Sequence, residues 1–193
     1  MRVLIVGQPA TGLYMLTRLL MNIYHLDNLN ALTDNLPGNG DQFAAFVDAG
    51  RFIDGSILTS HFSCADVIKK ACGKVNCHIV SIVRDPFSGF EAMYNNANIG
   101  VASKINRQLL PFRGLGLESD EVLARIQDTY SLQLKTSSDW WHCDWVNTVL
   151  FEELNRLPTE TLFSVCQKMM PVAREKICEA VSGEFPGGYS SSD

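Results

Sequence analysis

The sequence contains no apolar run of the roughly 20 residues that a helix needs to cross a lipid bilayer. The apolar run at its start ends at Gly7, so it is too short for the apolar region of a secretory signal peptide. These two absences predict a protein that has no membrane span and is located in the cytoplasm.

An excess of positive charge is also missing. The chain has 16 Lys and Arg residues against 21 Asp and Glu residues, which gives a formal net charge of -5. Proteins that bind nucleic acid depend on many Lys and Arg side chains to neutralise phosphates, so this balance predicts no nucleic-acid partner. It remains compatible with a small basic site for a single nucleotide.

The six cysteines form no C-x-x-C pair and show no zinc-finger spacing. The adjacent residues His142 and Cys143 belong to metal-binding residue types, but a lone pair lacks the further ligands that a metal needs. We therefore expect no metal site. Without a secretory signal, we also expect reduced thiols rather than disulfide bonds.

Short apolar segments alternate along the chain with segments of helical periodicity. The apolar segments predict strands at residues 2–6, 56–60, 77–83 and 146–151. Helices are predicted from residue 13 onwards and at residues 41–49, 64–72 (after Ser63 as N-cap), 87–95, from 119 to about 130, 159–170 and 172–182, and residues 27–40 are predicted to form a loop. The alternation predicts an α/β fold, with one open, mostly parallel sheet of about four to five strands flanked by helices. We expect one domain over residues 1–182 and a flexible tail over residues 183–193.

A glycine-rich turn separates the first predicted strand from the first predicted helix. Its sequence is Gly7-Gln8-Pro9-Ala10-Thr11-Gly12. Such a turn directs backbone N–H groups and the positive end of the helix dipole towards one point, which is an anion site and most often a phosphate site. The glycine spacing matches the first part of a P-loop, but Leu13 and Tyr14 stand where that motif has Lys and Ser or Thr.

Two polar residues directly follow other predicted strands. Their position matters because the carboxyl ends of parallel strands form the ligand crevice of an open α/β sheet. His61 follows the strand at residues 56–60, and Arg84 follows the strand at residues 77–83. Arg84 suits a phosphate, but it suits equally a salt bridge to Asp85 or a nearby carboxylate. His61 is a possible general base, or a histidine that only hydrogen-bonds a neighbouring loop.

Four segments in this order resemble the PAPS-dependent sulfotransferases, which transfer a sulfuryl group from 3′-phosphoadenosine 5′-phosphosulfate (PAPS) to an acceptor. Residues 8–14 resemble the loop for the 5′-phosphosulfate, and residues 58–62 resemble the strand end that carries the catalytic base. Residues 82–88 resemble the segment for the 3′-phosphate, and residues 149–154 resemble a late Tyr-Glu-Asp-Leu strand. Together the four segments lie between Met1 and about Met170.

The resemblance implies a P-loop-like α/β fold, PAPS as co-substrate and 3′-phosphoadenosine 5′-phosphate (PAP) as product. It implies that Arg84 and Ser88 hold the 3′-phosphate and that His61 takes the proton from an acceptor hydroxyl or amine. The acceptor, a small molecule or a glycan, would lie in the region from Asn95 to Trp145. The residues implied to hold the 5′-phosphosulfate are Gly7, Gln8, Pro9, Ala10, Thr11, Gly12, Leu13 and Tyr14.

The sequence departs from the family pattern at three places. The family lysine falls at Ala10, the hydroxyls after the second glycine fall at Leu13 and Tyr14, and the 3′-phosphate serine falls at Ala92. Two alternatives therefore stay open beside the sulfotransferase. They are a P-loop-like nucleotide kinase and a non-catalytic nucleotide-binding module of the same fold.

Overall fold

The structure is a computed structural model, and it describes residues 1–32, 36–98, 114–125 and 131–184. These residues form a five-stranded parallel sheet in the order β2-β3-β1-β4-β5. The strands are β1 (Arg2–Gly7), β2 (Asp27–Asn28), β3 (Ser56–Ser60), β4 (Cys77–Val83) and β5 (Asn147–Leu150). The predicted fold class, an open parallel α/β sheet of four to five strands, is confirmed.

Ten helices flank the sheet in the described part of the chain. They are α1 (Leu13–Tyr24), α2 (Leu29–Leu32), α3 (Gly40–Asp48), α4 (Asp66–Lys74), α5 (Pro86–Asn98), α6 (Asp120–Arg125), α7 (Ser131–Trp141), α8 (Phe151–Arg156), α9 (Pro158–Met169) and α10 (Arg174–Glu184). None of the helices in these ranges is long and apolar enough to cross a membrane.

Both faces of the sheet are covered, as its apolar strands require. Val3 and Ile5 of β1 pack against α1, α9 and α10, whereas Leu4 and Val6 pack on the opposite face against α3 and α4. This alternation follows from the two-residue period of a strand. Trp140 of α7 is buried on the α3 and α4 face, and its indole N–H donates to the Phe62 carbonyl oxygen at 2.7 Å.

Several boundaries correct the sequence predictions. The predicted loop at residues 27–40 contains β2 and α2. The helix α4 begins at Asp66 after Ala65, not after Ser63, and it continues through Gly73. The predicted strand 146–151 ends at Leu150, because Phe151 already begins α8. The helix α7 was not predicted, since its hydrophobic residues lack a clear helical period.

Some predictions fall outside the described residues. They are the tail beyond residue 184, the part of the acceptor region at residues 99–113, and the end of the predicted helix at residues 126–130.

The edge strand β2 is extended by a side chain. Its two residues pair with Ser56 and Ile57 of β3. Further along, the Asn30 amide nitrogen donates to the Thr59 carbonyl oxygen at 3.0 Å, and the Asn30 amide oxygen accepts from the Thr59 N–H at 2.8 Å and from its hydroxyl at 2.8 Å. Asn30 therefore takes the place of a missing backbone partner and fixes β3 at Thr59, two residues before His61.

We predict that Asn30→Ala lowers the free energy of unfolding by about 2 kcal/mol, because it removes three partly buried hydrogen bonds. Chemical denaturation measures this loss. The matched control is Asn39→Ala, which removes a single bond, from the Gln42 N–H, at the exposed N-cap of α3, and we expect it to cost about 1 kcal/mol. A loss no larger than that of the control would contradict the role given to Asn30.

Candidate functional site

The turn between β1 and α1 is stabilised by its own hydrogen bonds. The Thr11 hydroxyl and the Thr11 N–H both donate to the Gln8 carbonyl oxygen, at 2.6 and 3.3 Å. Ala10 and Gly12 adopt left-handed backbone conformations, with φ of 61° and 85°. Gly12 is the N-cap of α1 and supplies no side-chain cap. The first-turn N–H groups of α1 therefore point into the turn without intrahelical acceptors, as an anion site requires.

The two glycines of the turn stand where a side chain has no room. A Cβ atom on Gly7 would lie 2.6 Å from the Ile82 carbonyl oxygen, and one on Gly12 would lie 2.5 Å from the Phe151 ring. The turn is thus packed directly against the end of β4 and the first residue of α8. The pairing of Gly7 with Ile82 across the sheet produces this close approach.

Arg84 at the end of β4 contacts this turn. Its Nη1 donates to the Ala10 carbonyl oxygen at 2.8 Å, and its guanidinium carbon lies 4.4 Å from the centre of the Phe151 ring. In the described part of the chain no carboxylate forms an ion pair with Arg84, and its buried Nε has no hydrogen-bond partner. The salt bridge to Asp85, the structural alternative for Arg84, is therefore not formed.

Asp85 caps helix α5 instead. Its carboxylate accepts the Ser88 N–H at 2.8 Å, and its own N–H donates to the Glu152 carboxylate at 3.0 Å. The hydrogen bonds from Ser88, and to a smaller extent the charge of Arg84, lower the pKa of Asp85 below its usual value. Ser88 thus contacts Asp85, and its assignment to a phosphate stays a prediction.

His61 lies on the other side of β1 from Arg84. The side chain is exposed, and its Nδ1 is 2.7 Å from the Gly7 carbonyl oxygen. A carbonyl oxygen only accepts hydrogen bonds, so Nδ1 carries the proton and the lone pair of the neutral ring is on Nε2. This tautomer presents an unprotonated nitrogen for general-base catalysis. The alternative for His61, a hydrogen bond to a neighbouring loop, is also present, and it positions the ring.

A shallow cleft, open to solvent and with a cavity volume of about 20 Å³, lies beside the glycine turn. Its lining comes from the turn, from the start of α5 and from α7, and consists of Gln8, Pro9, Thr11, Arg84, Asp85, Pro86, Gly89, Phe90, Met93, Leu134 and Ser137. Arg84 is the one cation in this lining. Asp85 is the one carboxylate in the lining, and it forms no ion pair with Arg84. N–H donors at a helix start, close to an arginine that forms no ion pair, suit an anionic group such as a phosphate.

The remaining predicted residues are less central. Leu13 is half-buried against the core beneath α1. Tyr14 is 70% exposed, and the guanidinium of Arg18 lies 5.6 Å from its ring centre. In the described ranges no group of three or more His, Cys, Asp and Glu residues could hold a metal ion.

Sequence reasoning missed the role of Phe151, which contacts both Gly12 and Arg84. The resemblance covers this segment, but it predicts a strand there and no contact for Phe151. Its position at the first residue of α8 brings the ring under the turn.

The chain resembles several solved structures over most of its length. The chain is similar to mouse sulfotransferase SULT7A1 complexed with PAP, with a TM-score of 0.60, 11% identity, and coverage of 100% of this chain and 69% of that one. The fold is sulfotransferase-like. Retinol dehydratase in complex with androsterone and inactive cofactor PAP gives a TM-score of 0.53 at 10% identity, over 95% of this chain and 64% of that one.

A third structure of the sulfotransferase-like fold, the sulfotransferase domain from the curacin biosynthetic pathway, gives a TM-score of 0.50 at 14% identity, over 97% of this chain and 80% of that domain. Neither a protein-family model nor a curated protein matches the sequence. The likeness is therefore one of fold, and it agrees with the fold that the four sequence segments imply.

We predict that Gly12→Ala lowers the free energy of unfolding by at least about 1 kcal/mol more than Gly50→Ala, because its Cβ overlaps the Phe151 ring. Gly50 is the matched control, since it also has a positive φ, 67°, but nothing lies within 4 Å of an added Cβ. Thermal or chemical denaturation measures both losses. Equal losses would show that the turn does not pack against Phe151.

Proposed function

We propose that the protein is a sulfotransferase that moves a sulfuryl group from PAPS to an acceptor hydroxyl or amine. The observation that carries the proposal is the guanidinium of Arg84, which lies against the glycine turn without a carboxylate partner among the described residues. A guanidinium that forms no ion pair and lies beside a helix start favours an anionic ligand. The sulfotransferase-like fold and the PAP in the structures of two similar proteins support the nucleotide as that ligand.

The proposed nucleotide site uses the residues that the resemblance implies. Backbone N–H groups within residues 7–14, other than that of Thr11, which donates to Gln8, would hold the 5′-phosphosulfate together with the start of α1. Arg84 would hold phosphate oxygens through its planar fork. Ser88 would join after releasing Asp85. The co-substrate supplies the sulfuryl group and leaves as PAP.

His61 is the proposed catalytic base. Its Nε2 would take the proton of the acceptor hydroxyl or amine while the acceptor atom forms a bond to sulfur. The bond between sulfur and the 5′-phosphate oxygen breaks in the same displacement, and the bond electrons stay on that oxygen. The Gly7 carbonyl oxygen, which accepts from Nδ1, would stabilise the imidazolium that forms.

The acceptor is proposed to be a small molecule or a glycan that enters beside α7. This helix contributes Leu134 and Ser137 to the cleft. A cytoplasmic location is also proposed, because all six cysteines are unpaired thiols, as is usual in a reducing compartment.

A nucleotide-binding module without catalysis is the second candidate. The specific observation in its favour is Ala10, which stands where the resemblance places a lysine. Removal of one charge-stabilising group costs on the order of 10²–10³ in rate. The two candidates share the binding site and differ in turnover.

We predict that the protein binds PAP with micromolar affinity and that magnesium does not change this affinity, because no metal clamp is part of the proposed site. Isothermal titration calorimetry with and without magnesium measures this, and ATP serves as the control ligand. The absence of PAP binding would contradict the enzyme and the binding module together. Tight, magnesium-dependent ATP binding would favour a nucleotide kinase.

We predict that His61→Ala abolishes sulfuryl transfer, measured as PAP formation with a panel of acceptors, and leaves the affinity for PAP within about twofold of wild type. The matched control is His142→Ala, because His142 is also exposed and its Nδ1 lies 2.8 Å from the Ser138 carbonyl oxygen. This control is expected to keep full turnover. Transfer by the His61 variant at the wild-type rate would remove His61 from the mechanism.

A further inference from the structure

We infer that Arg84 supplies the positive charge that the glycine turn lacks at Ala10, and that it therefore binds the 5′ end of the nucleotide. The resemblance assigns the arginine of this segment to the 3′-phosphate, so the inference changes the end of the ligand that Arg84 contacts. It rests on the proposed function, because it concerns the same nucleotide.

The first step is the position of the guanidinium. Its Nη1 donates at 2.8 Å to the carbonyl oxygen of Ala10, which is the residue at the position of the absent lysine. Arg84 and the turn residues Gln8, Pro9 and Thr11 also line the same cleft. The charge thus reaches the turn from the neighbouring strand instead of from the turn itself.

The second step is the rigidity of this arrangement. The Phe151 ring lies against the guanidinium at 4.4 Å and against Gly12, so one aromatic ring supports the cation and the turn together. Stacking on a ring restricts the orientation of a guanidinium. The described residues provide an acceptor only for Nη1, and Nε is buried without a partner. The donors left for a ligand are therefore those of the two Nη atoms.

The third step is the state of the other cations near the turn. Arg18 of α1 forms an ion pair with Glu184 at 2.9 Å, and Lys135 of α7 forms one with Asp139 at 2.7 Å. Neither lines the cleft. Within the described ranges, Arg84 is therefore the cation placed to balance charge on the 5′-phosphate as the sulfur–oxygen bond breaks.

The test compares two ligands that both carry a phosphate on the 5′ oxygen and differ at the 3′ position. PAP carries a 5′- and a 3′-phosphate, whereas adenosine 5′-phosphosulfate (APS) carries a 5′-phosphate that bears the sulfate, and no 3′-phosphate. Calorimetry measures the affinity of wild type and of Arg84→Ala for each. We expect Arg84→Ala to weaken the affinity for both ligands by the same factor, about 10- to 100-fold. A loss of this size is typical when a hydrogen bond to a charged group is removed.

The outcomes separate the inference from the proposed function. A loss for PAP alone would place Arg84 at the 3′-phosphate and overturn the inference while the proposed function stands. The inference would also be overturned if Arg84→Ala kept the wild-type affinity for both ligands. The same holds if the wild-type protein binds PAP but not APS. Wild type that binds neither ligand would overturn the proposed function itself.

Two further variants and a folding check control the comparison. Lys70→Ala removes the same charge from an exposed site on α4 and is expected to leave both affinities unchanged. Circular dichroism checks that Arg84→Ala is folded, and Arg84→Lys, which keeps the charge but loses the fork, gives a second measurement with a smaller, equal loss for both ligands. If Arg84→Ala fails to fold, equal losses of affinity for PAP and APS in Arg84→Lys support the inference. A loss of affinity for PAP alone in Arg84→Lys overturns it.

Two double variants test whether a cation in the turn replaces Arg84. In the Arg84→Ala background, Ala10→Lys is expected to recover at least tenfold in APS affinity, because it returns a cation to the turn. Ala10→Gln, which adds a side chain of similar length without charge, is expected to recover none. Equal recovery by both, or recovery by neither, would show that the turn is not the site of the charge that Arg84 supplies.

Discussion

The hydrogen bond between Arg84 Nη1 and the Ala10 carbonyl oxygen links the residue after β4 to the turn after β1. Parallel pairing places Gly7 opposite Ile82, so the end of β4 arrives directly beside the turn that follows β1. The close contact leaves no space for a side chain on Gly7. A shift of one residue in this register would move Arg84 away from the turn and expose its apolar neighbours.

The same turn carries a conformational cost. Ala10 has a φ of 61°, a left-handed conformation that costs a residue other than glycine about 1–2 kcal/mol. The bonds of Thr11 to Gln8 and of Arg84 to Ala10 stabilise that conformation from both sides. Strain held in place by surrounding contacts is common where a backbone must present its N–H groups to a ligand.

Much of this arrangement could be predicted from the sequence, and the reason is topological. The carboxyl ends of parallel strands meet at one edge, so Gly7, His61 and Arg84 could be placed together without any contact being known. The contacts of Arg84 with Ala10 and Phe151 could not be predicted, because they depend on side-chain packing between segments far apart in sequence. The edge pairing through Asn30 was missed for the same reason, since a two-residue strand leaves no periodic pattern.

A cation supplied from a neighbouring strand has a consequence for catalysis. A lysine in the turn would reach its ligand on a flexible stem, whereas the guanidinium of Arg84 is already oriented by a carbonyl oxygen and an aromatic ring. Charges fixed before the reaction stabilise a transition state without reorganisation. On the proposed function, the absence of a lysine at position 10 therefore changes the source of the charge, and the glycine turn keeps the role of positioning the group that is transferred.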